Sequence, residues 1–165
     1  MLLGDYIKKI QKNYKKIYFS GISFNSNHVK KNNIFFAIKG TKINGNKFIK
    51  RAIENGARTI VSDLSFQGLK KKVLYIKTNN CRKELAEVAS KLCRNKPKNL
   101  IAVTGTNGKS SIADFYFQIL NLNKKKVASI GTLGVKTHNR KVSIDNTTLD
   151  PISLNGHLQK IKKLN

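Results

Sequence analysis

The chain has 165 residues, of which 39% are hydrophobic, and 33 lysines and arginines stand against 8 aspartates and glutamates for a formal net charge of +25. The hydrophobic share is enough for a packed core and excludes a disordered chain, while the length allows one ordinary domain or two small ones. No run approaches the roughly 20 apolar residues of a membrane span, and the Lys-rich amino terminus lacks the apolar core and cleavage site of a secretory signal, which implies a cytoplasmic protein.

Helical and strand-like patterns alternate along the chain. Leu2 to Gln11 reads as a first helix, and Ile17 to Phe24 and Ile34 to Ile38 read as short strands. Gly45 to Asn55 places Phe48, Ile49, Ala52 and Ile53 at helical spacing, and Gly56 follows as a stop. Thr59-Ile60-Val61 and Val73-Leu74-Tyr75-Ile76 are candidate buried strands. Asn80 is placed to cap a helix from Cys81 to Cys93 with Leu85, Val88, Ala89 and Leu92 on one stripe. The polar run Arg94 to Asn99, with Pro97 inside it, breaks the pattern and marks a boundary between residues 1–95 and 96–165. Beyond it a strand over 100–104, a loop over 105–109, a helix over 110–122 and a strand from Val127 to Ile130 suggest a right-handed βαβ crossover. Ile112, Phe115, Tyr116, Ile119 and Leu120 would form the buried face of that helix. Val142 to Ile144 adds an edge strand, and Leu158 to Asn165 is helical. The two or three strands of this second segment are fewer than a nucleotide-binding α/β domain uses, so a truncated chain is expected.

Lysines occur in nearly every polar segment. The runs Lys70-Lys71-Lys72 and Lys124-Lys125-Lys126 each precede an apolar segment and read as solvated turns. No aromatic-basic pattern accompanies them, so compositional bias is preferred to specific nucleic-acid binding. Cys81 and Cys93 lie about 18 Å apart along one helical pattern and are expected as reduced core thiols. His28, His138 and His157 form no ligand motif.

The chemistry concentrates in Leu100-Ile101-Ala102-Val103-Thr104-Gly105-Thr106-Asn107-Gly108-Lys109-Ser110-Ser111. An apolar run enters a Gly-x-x-Gly-Lys-Ser-Ser loop that opens an amphipathic helix. Glycines let backbone N–H groups close on phosphate oxygens, and the helix N-terminus favours the same anion. Lys109 is placed for β/γ-phosphates and Ser110 for Mg²⁺. The strict phosphate-loop spacing fails, because Val103 stands where the upstream glycine is required.

These residues resemble the Mur ligase family, and within it the MurE type, whose central Thr-Gly-Thr-Asn-Gly-Lys-[Ser/Thr]-[Ser/Thr] motif is matched by Thr104 to Ser111. Ser23-Phe24-Asn25-Ser26-Asn27-His28-Val29 and Asn33 to Gly40 are similar to that family's amino-terminal signature, continued by Gly45, Phe48, Ile49, Ala52 and Gly56-Ala57. Gly131-Thr132-Leu133-Gly134 and Asn146-Thr147-Thr148 resemble two further elements. Asn25 and Asn27 depart from it where Asp and Arg are usual, and Leu149-Asp150-Pro151 departs from the usual Pro-Asp or Pro-Glu.

The resemblance implies a small amino-terminal α/β domain that binds a UDP substrate, then the first part of a phosphate-loop, parallel-sheet ATPase domain. It implies ATP-dependent amide formation through an acyl phosphate, adding the third amino acid, meso-diaminopimelate or lysine, to UDP-N-acetylmuramoyl-L-Ala-D-Glu. Diaminopimelate is the expectation, although the residues that choose it lie outside this sequence. ATP and Mg²⁺ would be held by Gly105, Thr106, Asn107, Gly108, Lys109, Ser110 and Ser111, with Lys109 catalytic and Ser110 on the metal. Phe24, Ser26, Lys42, Ile43 and Asn44 would face the uridine diphosphate end, and Asn146, Thr147 and Thr148 the muramoyl-peptide end. The family's acidic magnesium ligand, carbamoylated lysine and amino-acid-binding domain have no counterpart here, so a monomer without ligase activity of its own is expected. Ser26 and residues 42–44 are equally placed to be plain turn residues, and Thr147 and Thr148 to cap a helix near Pro151. A MurF-type ligase, another phosphate-loop enzyme such as a small kinase, and a basic nucleic-acid-binding protein stay open as alternatives.

Overall fold

A computed structural model describes the chain apart from Lys9, Lys42, residues 145–148, Asn165 and the Leu164 side chain. The backbone divides into two units, Met1–Leu92 and Cys93–Asn165.

The first unit is built on a five-stranded sheet. Strands β1 (Gly21–Ser23), β2 (Asn33–Phe36), β3 (Thr59–Ser62) and β5 (Val73–Lys77) are parallel neighbours, and β4 (Gly68–Lys70) closes the edge antiparallel to β5. The register places Ile22 beside Ile34, Phe35 beside Ile60, and Ile60 beside Tyr75. Every residue of β2 and β3 is buried, as parallel strands covered on both faces require. On one face Phe35, Ile60 and Val73 pack with Ile49 and Ala52 of α2 (Ile49–Glu54). Alternation turns Ile34, Phe36, Val61 and Leu74 to the other face. Helix α3 (Cys81–Leu92) buries Leu85, Val88 and Ala89. Asn80 caps it, accepting from the Lys83 N–H at 3.0 Å.

The helix expected over Leu2 to Gln11 shrinks to α1 (Leu3–Tyr6) and a separate 3-10 turn at Lys12–Tyr14. Tertiary pairing overrides the helical period here. Leu2 bridges Tyr18, and the N–H groups of Leu3 and Gly4 donate to Ile17 and Lys15. The same pairing takes the first half of the expected strand 17–24 and leaves Gly21–Ser23 for the sheet. The end of α1 is held from far along the chain. The Lys91 ammonium donates to the carbonyls of Asp5 and Tyr6 at 3.0 and 2.8 Å. Residues 45–55 form a 3-10 turn, Gly45–Phe48, before α2 begins.

In the second unit, α4 (Lys109–Leu122) is followed by an antiparallel meander of β6 (Ala128–Gly131), β7 (Gly134–Thr137) and β8 (Arg140–Val142), and then α5 (Pro151–Leu164). Two expectations are corrected. Residues 100–104 are not a strand, because among the described residues they meet no ladder partner, and Leu100 and Ile101 are exposed. Without that strand there is no βαβ crossover, and β6 pairs antiparallel to β7. The predicted buried face of α4 is uncovered: Ile112, Phe115, Tyr116 and Ile119 are exposed, Phe115 at 61%, and Leu120 is half-buried. Helix α5 starts at Pro151, where a helix was expected to begin, and runs on through the helical segment read at Leu158. Asp150 caps it, its Oδ1 accepting from the N–H groups of Ile152 and Ser153 at 2.8 and 3.0 Å.

The two units therefore differ in how their helices are used. Leu85→Ala in α3 is expected to cost about 2–5 kcal/mol in chemical denaturation. Ile119→Ala in α4 should stay within about 0.5 kcal/mol. Equal losses at the two positions would contradict the exposure of α4.

Candidate functional site

The turn 105–108 feeds α4, and its backbone is set by Gly108, at φ +75° in the left-handed region. A Cβ at Gly108 would meet nothing within 4 Å, so the residue there is constrained by conformation rather than by space. The first intrahelical bond runs from the Ile112 N–H to the Gly108 carbonyl at 3.0 Å. The N–H groups of Lys109, Ser110 and Ser111 precede it, the position at which a helix leaves donors for an anion. Lys109 bends back over the loop, donating to the carbonyls of Gly105 and, at 2.9 Å, Thr106. Those contacts keep its ammonium over the turn. An open turn, free helix donors, one ammonium and a hydroxyl at Ser110 are a donor set that fits a polyphosphate with its cation. Among the described residues no cluster of His, Cys, Asp and Glu could hold a metal by itself.

The expected uridine-facing residues sit where parallel strands end. Phe24 to Ser26 leave the carboxyl end of β1, and Lys39, Ile43 and Asn44 follow that of its neighbour β2, so both segments emerge at the same end of the sheet, the usual place for ligands on such sheets. Phe24 is exposed and Ser26 is buried. Asn25 caps the turn at Ser26–His28, its side chain accepting from the Asn27 N–H at 2.9 Å. An amide therefore does the capping work that an aspartate would do at that position. The Ser26 carbonyl accepts from Asn55 at 2.9 Å. In the second loop Ile43 is exposed, Asn44 accepts from the Asn46 N–H at 3.0 Å, and Lys39 bridges Asn44. A cleft of about 190 Å³ adjoins that loop, with Lys39, Asp63 and Arg82 among its walls. Lys42, Asn146, Thr147 and Thr148 lie outside the described residues.

The thiol of Cys81, also on that cleft, is pushed up to about 12 by burial first, then by the charges of Asp63 and Glu84, against Arg82. It donates to the Val61 carbonyl at 3.3 Å and is a packing group, not a nucleophile.

Thr132, in the turn between β6 and β7, stands with its Oγ1 3.0 Å from the Ser110 Oγ. It was not among the site residues expected from sequence. Its only signal was the Gly131-Thr132-Leu133-Gly134 pattern. Asp114 and Lys136 are a second tie between α4 and β7 that sequence reading did not single out.

Two family models match the chain: "Mur ligase family, catalytic domain" over residues 18–97, and "Mur ligase middle domain" over residues 103–165. The chain belongs to the Mur ligase family. It is similar to the UDP-N-acetylmuramoyl-L-alanyl-D-glutamate--2,6-diaminopimelate ligase of Rickettsia montanensis, 44% identical over 137 residues that cover 81% of this chain and 28% of that protein. The ligase of the same name from Clostridium tetani is 40% identical over 163 residues, 93% of this chain and 33% of that protein. The chain thus spans about a quarter to a third of the length of these curated relatives. A solved structure of a ligase of that name aligns with 99% of this chain and 34% of its own, at TM-score 0.79 and 24% identity, and shares the fold.

Hydrogen bonds from Lys136 and then Gln118 hold the Asp114 carboxyl below its ordinary value of 3.8. A depressed carboxylate adds stability above its unfolded value and loses it as pH falls through the folded one. Lys136→Met is expected to raise the Asp114 midpoint toward the ordinary value in an NMR titration. An unmoved midpoint would remove Lys136 as the cause.

Proposed function

We propose that this chain carries the UDP-substrate-binding unit and the phosphate-loop part of the ATP-binding unit of a MurE-type ligase. The reaction is ATP-dependent amide formation. A carboxylate of UDP-N-acetylmuramoyl-L-Ala-D-Glu is phosphorylated to an acyl phosphate, an amino acid amine attacks it, and phosphate leaves. The amino acid is meso-diaminopimelate, by analogy with the names of the relatives. The observation that carries the reading is the loop Thr104–Ser111 opening α4, in a chain whose two halves match two successive domains of one ligase family.

In this reading Lys109 exchanges its loop carbonyls for β/γ-phosphate oxygens. Gly105, Thr106, Asn107, Gly108 and Ser111 shape the cradle, and Ser110 offers a hydroxyl to Mg²⁺. The metal, when bound, supplies positive charge to the phosphates. The protein's part is positioning and neutralisation of phosphoryl charge. Phe24, Ser26, Lys42, Ile43 and Asn44 face the uridine diphosphate end. Asn146, Thr147 and Thr148 face the muramoyl-peptide end. Support for the last assignment comes from the Asn-Thr-Thr pattern itself, at the family's order and distance from the loop. Residues 1–95 are the substrate domain and 96–165 belong to the ATP-binding domain. The reading places the protein in the cytoplasm as a monomer without specific nucleic-acid binding. Among the described residues no helix is long and apolar enough to cross a membrane.

Calorimetry on the chain separates the two ligands. Lys109→Ala should weaken Mg·ATP binding on the order of 10–100-fold, the worth of a charged hydrogen bond, and leave UDP-N-acetylmuramoyl-dipeptide binding unchanged. Ser26→Ala should do the reverse, with a smaller loss. If neither ligand bound the folded chain, and DNA were retained at physiological salt, the nucleic-acid alternative would replace this reading.

A further inference from the structure

Three side-chain ties run in order along α4. The Ser110 hydroxyl meets Thr132 at 3.0 Å, Asp114 pairs with Lys136, and Asn121 meets the His138 Nδ1 at 2.8 Å. On the helix these positions are spaced by whole turns and share one face. On the hairpin Lys136 is in β7, His138 opens the turn that follows it, and Thr132 is in the turn at the other end. The hairpin therefore lies along the helix with its turn at the helix N-terminus. The turn itself is rigidly made. Gly131 pairs with Gly134 across two residues, and a Cβ on Gly134 would come within 2.3 Å of the Val142 carbonyl oxygen. Thr132 is thus delivered to Ser110 by a helix and a sheet, which hold a side chain more accurately than a free loop does.

Chemistry gives this contact a direction. A serine hydroxyl that ligates a divalent cation uses an oxygen lone pair and must send its proton elsewhere. Groups that receive such protons orient the ligand and tune its affinity for metal. We propose that Thr132 is a positioning residue for the metal–phosphate site, its Oγ1 accepting the Ser110 proton so that a Ser110 lone pair is turned toward Mg²⁺. The proposal rests on the reading of Thr104–Ser111 as an ATP loop. The opposite polarity, Thr132 donating to Ser110, would take one of that oxygen's two lone pairs and leave the Ser110 proton without this acceptor.

The test is a titration of the 165-residue chain with the fluorescent nucleotide MANT-ATP, once in Mg²⁺ and once in EDTA. Thr132→Val, which keeps the shape and removes the hydroxyl, should weaken binding about tenfold in Mg²⁺ and leave it unchanged in EDTA. Thr132→Ser should restore it. In a double-mutant cycle, Ser110→Ala with Thr132→Val should be no weaker than Ser110→Ala alone. Thr132→Ala is a second probe with the same expectation as Thr132→Val, and circular dichroism checks that each variant is folded. Unchanged or tighter binding by Thr132→Val in Mg²⁺ would overturn the proposal. So would an equal loss in EDTA, which marks a scaffold role, or additive effects in the cycle. Failure of the folded wild-type chain to bind Mg·ATP would instead sink the ATP-loop reading, and this proposal with it.

Discussion

Backbone polar groups must find partners when they leave water, and this constraint decides how each part of the chain is built. In the first unit the parallel ladder β1-β2-β3-β5 satisfies it and allows β2 and β3 to be buried on both faces. Where Met1 to Gly4 could have extended a helix, the N–H groups of Leu3 and Gly4 find carbonyls of the segment 15–17 instead, and the helix stays short. At the start of α4 the constraint is met differently. The first-turn donors precede any intrahelical partner, and the Lys109 ammonium rests on two carbonyls of the turn. Those first-turn donors are the ones a ligand can take directly, while Lys109 must leave its carbonyls to reach one.

The same logic accounts for what was legible in the sequence. Continuous apolar runs such as Thr59 to Val61 and Val73 to Ile76 gave their strands nearly to the residue, because burial on both faces leaves no polar position to confuse the pattern. The stripe of α3 and the cap at Asn80 were equally plain. Residues 100–104 were misread as a strand because an apolar run records the tendency to pair, whereas a strand also needs a neighbour. Leu2 to Gln11 failed for the opposite reason: its helical spacing was real, but a partner at residues 15–18 was invisible at that sequence distance.

Site residues divide along similar lines. The loop Gly105 to Ser111 is contiguous, so its glycines, lysine and serines stood in one window. The contact of Ser110 with Thr132 joins residues 22 apart, and the pairing of Asp114 with Lys136 spans the same distance. Neither lies within the periodicity of a single element. Asp150 illustrates a third case. It sits in a segment that departs from the family's usual pattern, and its carboxylate closes the first turn of α5. Asn25 likewise supplies a side-chain acceptor to the turn that follows β1.

The Lys91 bond to the end of α1 carries a consequence for the order in which the chain can organise itself. It joins residues 85 and 86 positions apart, so its closure carries the entropy of a long loop and raises the contact order of the first unit. During synthesis the amino-terminal segment emerges well before α3 exists. Until then its last carbonyls have only water to bond. The segment from Met1 to Phe19 is therefore made before the residue that fastens it, and its pairing must wait, loosely held, for α3.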